Sequence, residues 1–556
     1  MKGGTRSDTL LIALAISTVA LPLPSIASDE TSSSDKLRIL NSNRFTFADN
    51  GAPLVTVEIM GGQKQIRLSA TGGLDVLPDG TGGAEIHGQK SWTISVQNGV
   101  PGRSNKWVIV DRIPPDEIER VSSATRLWKQ RGFKPRTFDV GTVFGVGGKV
   151  LDSREVLVVV SPQTNSAKKQ AQYIARKYKV PTEIHTELVQ RPQGQVVATS
   201  GKLTIVNPSV LWFAPRQKQK TISVLDVLTG GGGSQLQTSR TDREFFGYVY
   251  VTVGFDGKLS AVNAVTADRL LAGLVPSEMF PDAHTEALAA QAIAARTELI
   301  QKLGTRHLAD PFLLCSSQHC QVYSGAGKEH PRTTRAVQKT RGLVMMRKKG
   351  NGLVDARYSA SCGGHGENKE IIWGGAKDPV LVGRLDQPAS KTTSSYRTVT
   401  DENIGDFLDG GKRDYCALSR YSKNRHRWTA ELDAKTTNQR VATKFKNVGR
   451  VQKLVPLKRG VSGRVVSIEI VGDRGKAVLR GDLAIRRLFG GLKSSLFEVR
   501  RKGTTETPTS FVFRGAGFGH GVGMCQVGAI GMAESKKTYR AILDHYYRGS
   551  KIQKLY

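Results

Sequence analysis

An alanine-rich stretch entered through a proline constrains this chain more than any other feature. Glu286-Ala-Leu-Ala-Ala-Gln-Ala-Ile-Ala-Ala-Arg-Thr297 carries six alanines between Ala287 and Ala295. Leu288, Ala292, Ala295, Leu299 and Leu303 recur at steps of three and four, which predicts a helix with one apolar stripe. Asp282 or Thr285 can cap its start. So many small side chains make the helix narrow, and other backbone can pack close to it. Just upstream, Leu274-Val-Pro-Ser-Glu-Met-Phe280 places one carboxylate, Glu278, between a proline and this helix. A carboxyl at the mouth of a rigid, buried helix is well placed for chemistry. An ordinary surface glutamate has the same spacing, so position alone does not decide between them.

The rest of the chain reads as α+β. The 60 glycines favour strands, turns and loops over a helical bundle, and 556 residues leave room for two to four domains. Residues 29–104 form a β-rich N-terminal region of short alternating runs such as Val55–Ile59 and Trp92–Val96. Residues 105–190 change pattern. Strands at Trp107–Val110, Phe138–Val143, Val156–Val160 and Thr182–Leu188 interleave with two helices, one with Ile118, Val121, Leu127 and Trp128 on a face, the other with Ala171, Ile174, Ala175 and Tyr178. The order is βαββαβ. Residues 191–243 read as a β segment ending in a glycine-rich linker around Gly230-Gly-Gly-Gly-Ser234. Residues 244–556 then form one long α+β domain.

Charge and the N-terminus narrow the setting. Lys and Arg number 81 against 48 Asp and Glu, a net charge of +33, and such a field attracts polyanions. No zinc finger, RNP motif or basic helix points to nucleic acid. Lys2 and Arg6 precede an apolar run from Leu10 to Pro22, and Ser25-Ile-Ala27 offers small residues for cleavage. This is the pattern of a signal peptide over residues 1–28, with an uncleaved anchor as the alternative. No other run reaches the roughly 18 apolar residues of a membrane span. The expected place is the periplasm or cell envelope.

Three further stretches carry side chains suited to chemistry. His307, Cys315, His319 and Cys320 fall within fourteen residues with a turn-rich middle, a donor set that fits one structural zinc. A Cys315–Cys320 disulfide or free thiols are the alternatives. Tyr358-Ser-Ala-Ser-Cys-Gly-Gly-His365 sets Gly363 and Gly364, which let backbone approach a ligand, before His365. Glu367 and Glu370 follow as possible cleft groups, and Trp373 and Trp428 as sugar platforms or core residues. Cys362 and Cys416 are one possible pair among five cysteines, an odd count. Gly517-Phe-Gly-His-Gly-Val-Gly-Met-Cys-Gln-Val-Gly-Ala529 is a glycine loop around one imidazole, His520, and lacks the ending of a P-loop.

Together the Leu274–Thr297 stretch, the Tyr358–His365 stretch and the Gly517–Ala529 stretch resemble the SpoIID/LytB family, in the expected order. The resemblance runs from about Glu244 to Tyr556. It implies a cell-wall protein that cuts peptidoglycan glycan strands as a lytic transglycosylase, or one that assists an N-acetylmuramoyl-L-alanine amidase. It implies Glu278 as the catalytic acid and base. Arg296, Gln321, Tyr323, Gly363, Gly364, His365, His520 and Gln526 are the candidate substrate contacts, Arg296 on the charge of the chain and with a helix-anchoring role toward a buried carboxylate as its alternative. The resemblance strengthens zinc at His307, Cys315, His319 and Cys320, because some members hold zinc at this place. Family members often carry Ser where this chain has Cys525. The 105–190 layout, with Arg131-Gly-Phe133 and Lys177-Tyr-Lys-Val180 before strands, resembles SPOR repeats, which bind peptide-stripped glycan. A purely structural insertion is the alternative.

Overall fold

The alternation in Leu54–Gln63 builds the first layer. Val55, Val57 and Ile59 are buried while Thr56 and Glu58 stay partly open, the period-two pattern of a strand with one face on a core. The structure, a computed structural model, describes residues 47–48, 51–78, 80, 84–146, 149–163, 166–217, 219–229, 239–317, 320, 323–349, 352–388 and 396–556. The expected signal peptide and the Gly230–Ser234 run lie outside the described residues, as do His319 and Gln321.

Leu54–Gln63 pairs antiparallel with Leu259–Thr266, some two hundred residues on, and parallel with the short strand Leu314–Cys315. The six-stranded sheet continues through Tyr248–Val253, Val210–Pro215 and Leu74–Leu77. A second six-stranded sheet runs in the order Leu203–Pro208, Gln193–Ser200, Ser91–Val100, Gln65–Ser69, Ile222–Thr229 and Ser239–Phe245. Both sheets feed one core, with Val55, Phe213 and Val251 from the first and Leu68, Trp92 and Val196 from the second. The indole of Trp92 is buried in it and donates to the Leu74 carbonyl at 2.8 Å, so its one polar atom is satisfied.

Between Ser91–Val100 and Gln193–Ser200 stands the βαββαβ module. Its strands Arg103–Ile113, Pro135–Val140, Glu155–Val160 and Glu183–Gln190 lie in the order fourth, first, third, second, all antiparallel. Helices Ile118–Gln130 and Ala167–Tyr178 cover it. Only part of the face expected on the first helix turns inward. Trp128 is buried against Phe133 and Tyr178, with ring centroids 5.5 and 5.2 Å away, whereas Ile118 and Leu127 are exposed. The module's core is small, and one tryptophan with its two aromatic neighbours fills the space a wider stripe would need. A hairpin inserted before the third strand, Val143–Val146 and Lys149–Asp152, carries Leu151 into a cluster with Ile300, Val344, Met346 and Leu555 of the last domain.

The alanine helix, Thr285–Lys302, is the hub of that last domain. Fifteen of its eighteen residues are buried, so it has no polar stripe. This corrects the single-stripe expectation. Ala292, Ala295 and Leu299 pack on the two-sheet core. Ala287, Ala290, Ile293 and Ala294 pack on a second core with Val522, Met524, Ala529 and Ile530. Small side chains admit neighbours all round, and the helix therefore sits inside rather than on a surface. Its cap also differs from expectation. His284 precedes the first turn, and its Nδ1 accepts from the Glu286 amide at 3.2 Å.

The Tyr358 and Gly517 motifs are separated by an inserted body. Its two three-stranded sheets, Arg427–Asp433 with Pro508–Ala516 and Phe497–Gly503, and Val451–Arg459 with Val465–Gly472 and Gly475–Arg480, share a core around Trp428, Ile468, Ile470, Phe497 and Phe513. After this excursion the two motifs meet. Tyr358–Ser359 pairs parallel with Met524–Cys525, and Ser361 bridges Phe518. No helix among the described residues is long and apolar enough to cross a membrane.

Candidate active site

Glu278 is the last residue of helix Ala267–Glu278. Pro276 sits inside the final turn and has no amide to give to the carbonyl four residues before it, and the helix ends where Met279 turns to an extended backbone. Beyond it Met279 is buried and Phe280 stacks on Tyr421 at 4.0 Å, which fixes the direction of the chain. The Glu278 carboxyl is partly buried. Burial, and the Glu298 carboxylate behind it, push it up to about 7 against the opposing pull of Lys302. Glu298 is buried and holds Lys302 Nζ at 2.7 Å, and Lys302 Nζ also donates to the Cys320 carbonyl at 2.7 Å.

The glycine loop reaches Glu278 from the other side. Gln526 Nε2 donates to the Glu278 carbonyl at 2.8 Å and approaches Gln291 Oε1 of the alanine helix at 3.3 Å. Earlier in the loop His520 Nδ1 accepts from the Val522 amide at 3.0 Å, which leaves the proton on Nε2. Burial first, then Arg464 and Arg357 against Asp482, hold this imidazole down to about 3. It is neutral at any working pH and offers one N–H. Trp373, exposed, lies 4.9 Å from the His520 ring and carries the Arg357 guanidinium over its face at 5.2 Å. Arg357 in turn approaches Glu298 at 3.9 Å. Contacts thus run from His520 through Trp373 and Arg357 to Glu298, whose charge acts on the Glu278 carboxyl, while Gln526 of the same loop holds the Glu278 backbone carbonyl. The loop is this tight because Gly523 takes φ +73°, and a Cβ there would run into the Arg357 carbonyl.

Other expected contacts lie elsewhere. Arg296 is fully enclosed: Nε and Nη2 hold Asp268 Oδ1 at 3.2 and 3.0 Å, and the rest of the guanidinium meets the carbonyls of Val337, Thr340 and Leu343. Tyr323 is buried and donates to Asn263 Oδ1 at 3.0 Å. His365 is buried with its ring nitrogens on the carbonyls of Gly366 and Arg397. Gly363 takes φ +75° and packs on Gly517, so it joins the two motifs, and Gly364 packs on Asp414. Glu367 is buried and accepts from the Ser462 hydroxyl at 2.6 Å. Trp428 is core, its indole donating to the Gly517 carbonyl at 2.8 Å. No motif in the sequence marks Glu298, Lys302 or Arg357. Glu298 and Lys302 stand four apart in the helix, a common surface pairing, and nothing in that spacing tells of burial.

The expected zinc ligands converge in part. His307 Nε2 lies 3.1 Å from Cys320 Sγ, and Cys315 Sγ lies 3.1 Å from Cys320 Sγ. Asp310 Oδ2 sits 2.8 Å from His307 Nδ1, which turns Nε2 toward the sulfurs. An imidazole oriented by a carboxylate, beside two thiols, is a donor set that fits zinc.

Residues 255–346 match the family described as Stage II sporulation protein, and residues 367–523, the inserted body and the first part of the glycine loop, match a domain of unknown function (DUF8618). The chain is similar to the Stage II sporulation protein D of Bacillus subtilis (strain 168), 26% identical over 306 residues, which covers 52% of this chain and 76% of that protein. An uncharacterized protein of Brachyspira hyodysenteriae is 28% identical over 307 residues, 55% of this chain and 71% of that one. The amidase enhancer of Bacillus subtilis (strain 168) is 26% identical over 312 residues, 50% of this chain but 40% of the enhancer.

Proposed function

Because this chain belongs to the SpoIID/LytB family, we propose that it is a lytic transglycosylase that cuts peptidoglycan glycan strands, with Glu278 as its single acid and base. The observation that carries the reading is a partly buried carboxyl near pKa 7 at the meeting point of the alanine helix and the glycine loop. The protonated Glu278 gives its proton to the glycosidic oxygen as the bond from the muramyl C1 breaks. The resulting carboxylate then takes the proton of the muramyl 6-hydroxyl, and that oxygen closes onto C1. Products are a 1,6-anhydro end and a free glucosamine 4-hydroxyl, and no water is consumed. One carboxyl suffices because it is regenerated in its acid form, unlike the two carboxyls of ordinary glycosidases. Trp373 suits a sugar face, and His520 Nε2–H suits a hydroxyl or an acetamido carbonyl.

The pH profile tests this assignment. Protonated Glu278 is the competent form, so kcat/KM on amidase-stripped glycan should be level below pH about 7 and fall about tenfold per unit above it. A rate that rises through this range contradicts an acid of that pKa. The net charge of +33 also suits a stripped strand, in which every muramic acid bears a free lactyl carboxylate.

Zinc at His307, Cys315 and Cys320, with His319 the fourth ligand expected from the sequence, forms part of the proposal as a structural ion. It would tie Leu314–Cys315 to the end of the alanine helix, where Lys302 holds the Cys320 carbonyl. A chelator should lower Tm, because ion binding is coupled to folding, and elemental analysis should lose the ion in Cys315→Ser. A Cys315–Cys320 disulfide in the peptide map would contradict it. A second reading, a non-cutting amidase enhancer exported to the cell envelope, is favoured by the likeness to the Bacillus enhancer. It keeps the glycan surface and dispenses with Glu278.

A further inference from the structure

We propose that Cys362, Cys416, Cys525 and Asp386 form a second metal centre, separate from His307, Cys315 and Cys320, that takes one Zn2+ or a similarly thiophilic divalent ion. Their ligand atoms all lie within 4.8 Å of one another. Cys362 Sγ stands 3.9 Å from Cys416 Sγ and 3.2 Å from Asp386 Oδ2. Four ligands about 2.3 Å from a tetrahedral zinc stand about 3.8 Å apart, so this set needs little movement to close on one ion. All four residues are at most 2% exposed.

The surroundings of Cys525 favour anionic sulfur. Cys525 Sγ accepts from the amides of Cys362 at 3.1 Å and Gly528 at 3.2 Å, and Cys525 caps the start of helix Gln526–Glu534. Amide donors and a helix start both favour negative charge there. Asp386 Oδ1 accepts from Tyr546 at 2.8 Å and faces His545 Nε2 at 3.3 Å, which orients Oδ2 toward Cys362. Two guanidiniums stand around the cluster, Arg464 donating to the Cys362 carbonyl at 3.1 Å and Arg427 to the Gly363 carbonyl at 2.9 Å. Gly528 has no Cβ to place between Asp386 Oδ2 and Cys525 Sγ. Three soft sulfurs and one carboxylate oxygen select zinc over magnesium or calcium.

A rival grouping of Cys416 with Asp414 and His426 is weaker. Asp414 already holds His426 Nε2 at 2.8 Å and Gln387 Nε2 at 2.7 Å, and Arg427 also reaches that imidazole. A narrow cleft lined by Cys362, Arg384, Asp386, Gly523, His545 and Tyr546 adjoins the cluster. Loading releases the thiol protons and leaves three thiolates and one carboxylate on the ion. The ion would join the Tyr358 motif, helix Tyr415–Leu418 and the glycine loop, and so hold Gln526 against Glu278.

The test is elemental analysis of the full chain after dialysis against metal-free buffer. Cys362→Ser and Asp386→Ala should each lose about one zinc per chain, and Cys315→Ser should keep that ion. Should the variants not fold, X-ray absorption at the zinc edge of the unaltered chain decides. It should report about 2.5 sulfurs per zinc with both centres loaded and about 3 with this one alone, against about 2 for the His307 centre alone. Metal content unchanged in Cys362→Ser, a sulfur number of about 2, absence of metal, or a Cys362–Cys416 disulfide in the non-reduced peptide map would each overturn the proposal. None of these readouts involves glycan cutting, so they stand apart from the role given to Glu278.

Discussion

Glu278→Gln is expected to lower the cutting of stripped glycan by about a thousandfold or more while glycan binding persists, since general acid and base roles are each worth about 10²–10⁴. The substitution keeps shape and removes the titrating proton. Residual cutting within about tenfold of the unaltered chain, roughly 1.4 kcal/mol of barrier, would remove Glu278 from the acid–base role. Stability supplies an independent readout. The folded carboxyl titrates near 7, above its unfolded value. Its contribution is therefore fully present below the unfolded pKa of about 4.3 and is lost as pH rises through about 7. Glutamine does not titrate. Glu278→Gln should gain in Tm relative to the unaltered chain between these pH values and hold that gain above them. A difference in Tm that does not vary with pH would mean the carboxyl is not held up by burial.

Arg296→Met is expected to destabilise the fold by about 3–5 kcal/mol, the scale for breaking a buried pair by removing one partner. The guanidinium is fully enclosed, and its loss strands the carbonyls of Val337, Thr340 and Leu343. Asp268 would retain Tyr556 at 3.0 Å and Arg341 at 3.4 Å, so the lower end of that range is the better figure. Denaturant unfolding measures it. Unchanged stability together with lost glycan affinity would instead make Arg296 a substrate contact.

That contrast shows which parts of this molecule are legible in sequence. A lone arginine at the end of an alanine run reads equally as ligand contact or anchor, and only the position of Asp268 decides. The α+β class follows from local patterns, since alternation in Leu54–Gln63 and three- and four-residue spacing in the alanine helix each report a face. The pairing of Leu54–Gln63 with Leu259–Thr266 is not local, and no pattern in either strand names its partner. Burial of the alanine helix on all sides follows from the size of its residues only once two cores are known to flank it.

The site divides in the same way. Glu278, His520 and Gln526 stand in short motifs whose turn chemistry can be read directly. Glu298, which helps to raise Glu278, lies twenty residues on in a helix and has no motif of its own. The Cys362, Asp386, Cys416 and Cys525 set spans 163 residues between its first and last cysteine, so spacing rules for metal ligands cannot find it. The inserted body separates these residues in sequence, and the pairing of Tyr358–Ser359 with Met524–Cys525 brings them together.

Mass spectrometry of amidase-stripped glycan incubated with the protein reads the cleavage chemistry from the ends it leaves. A lytic transglycosylase acting through Glu278 must leave 1,6-anhydro muramyl ends, and these should be absent with Glu278→Gln. Reducing ends would mean hydrolysis, and an unchanged glycan would mean a helper that does not cut; either result rules out Glu278 as the acid and base of a transglycosylase.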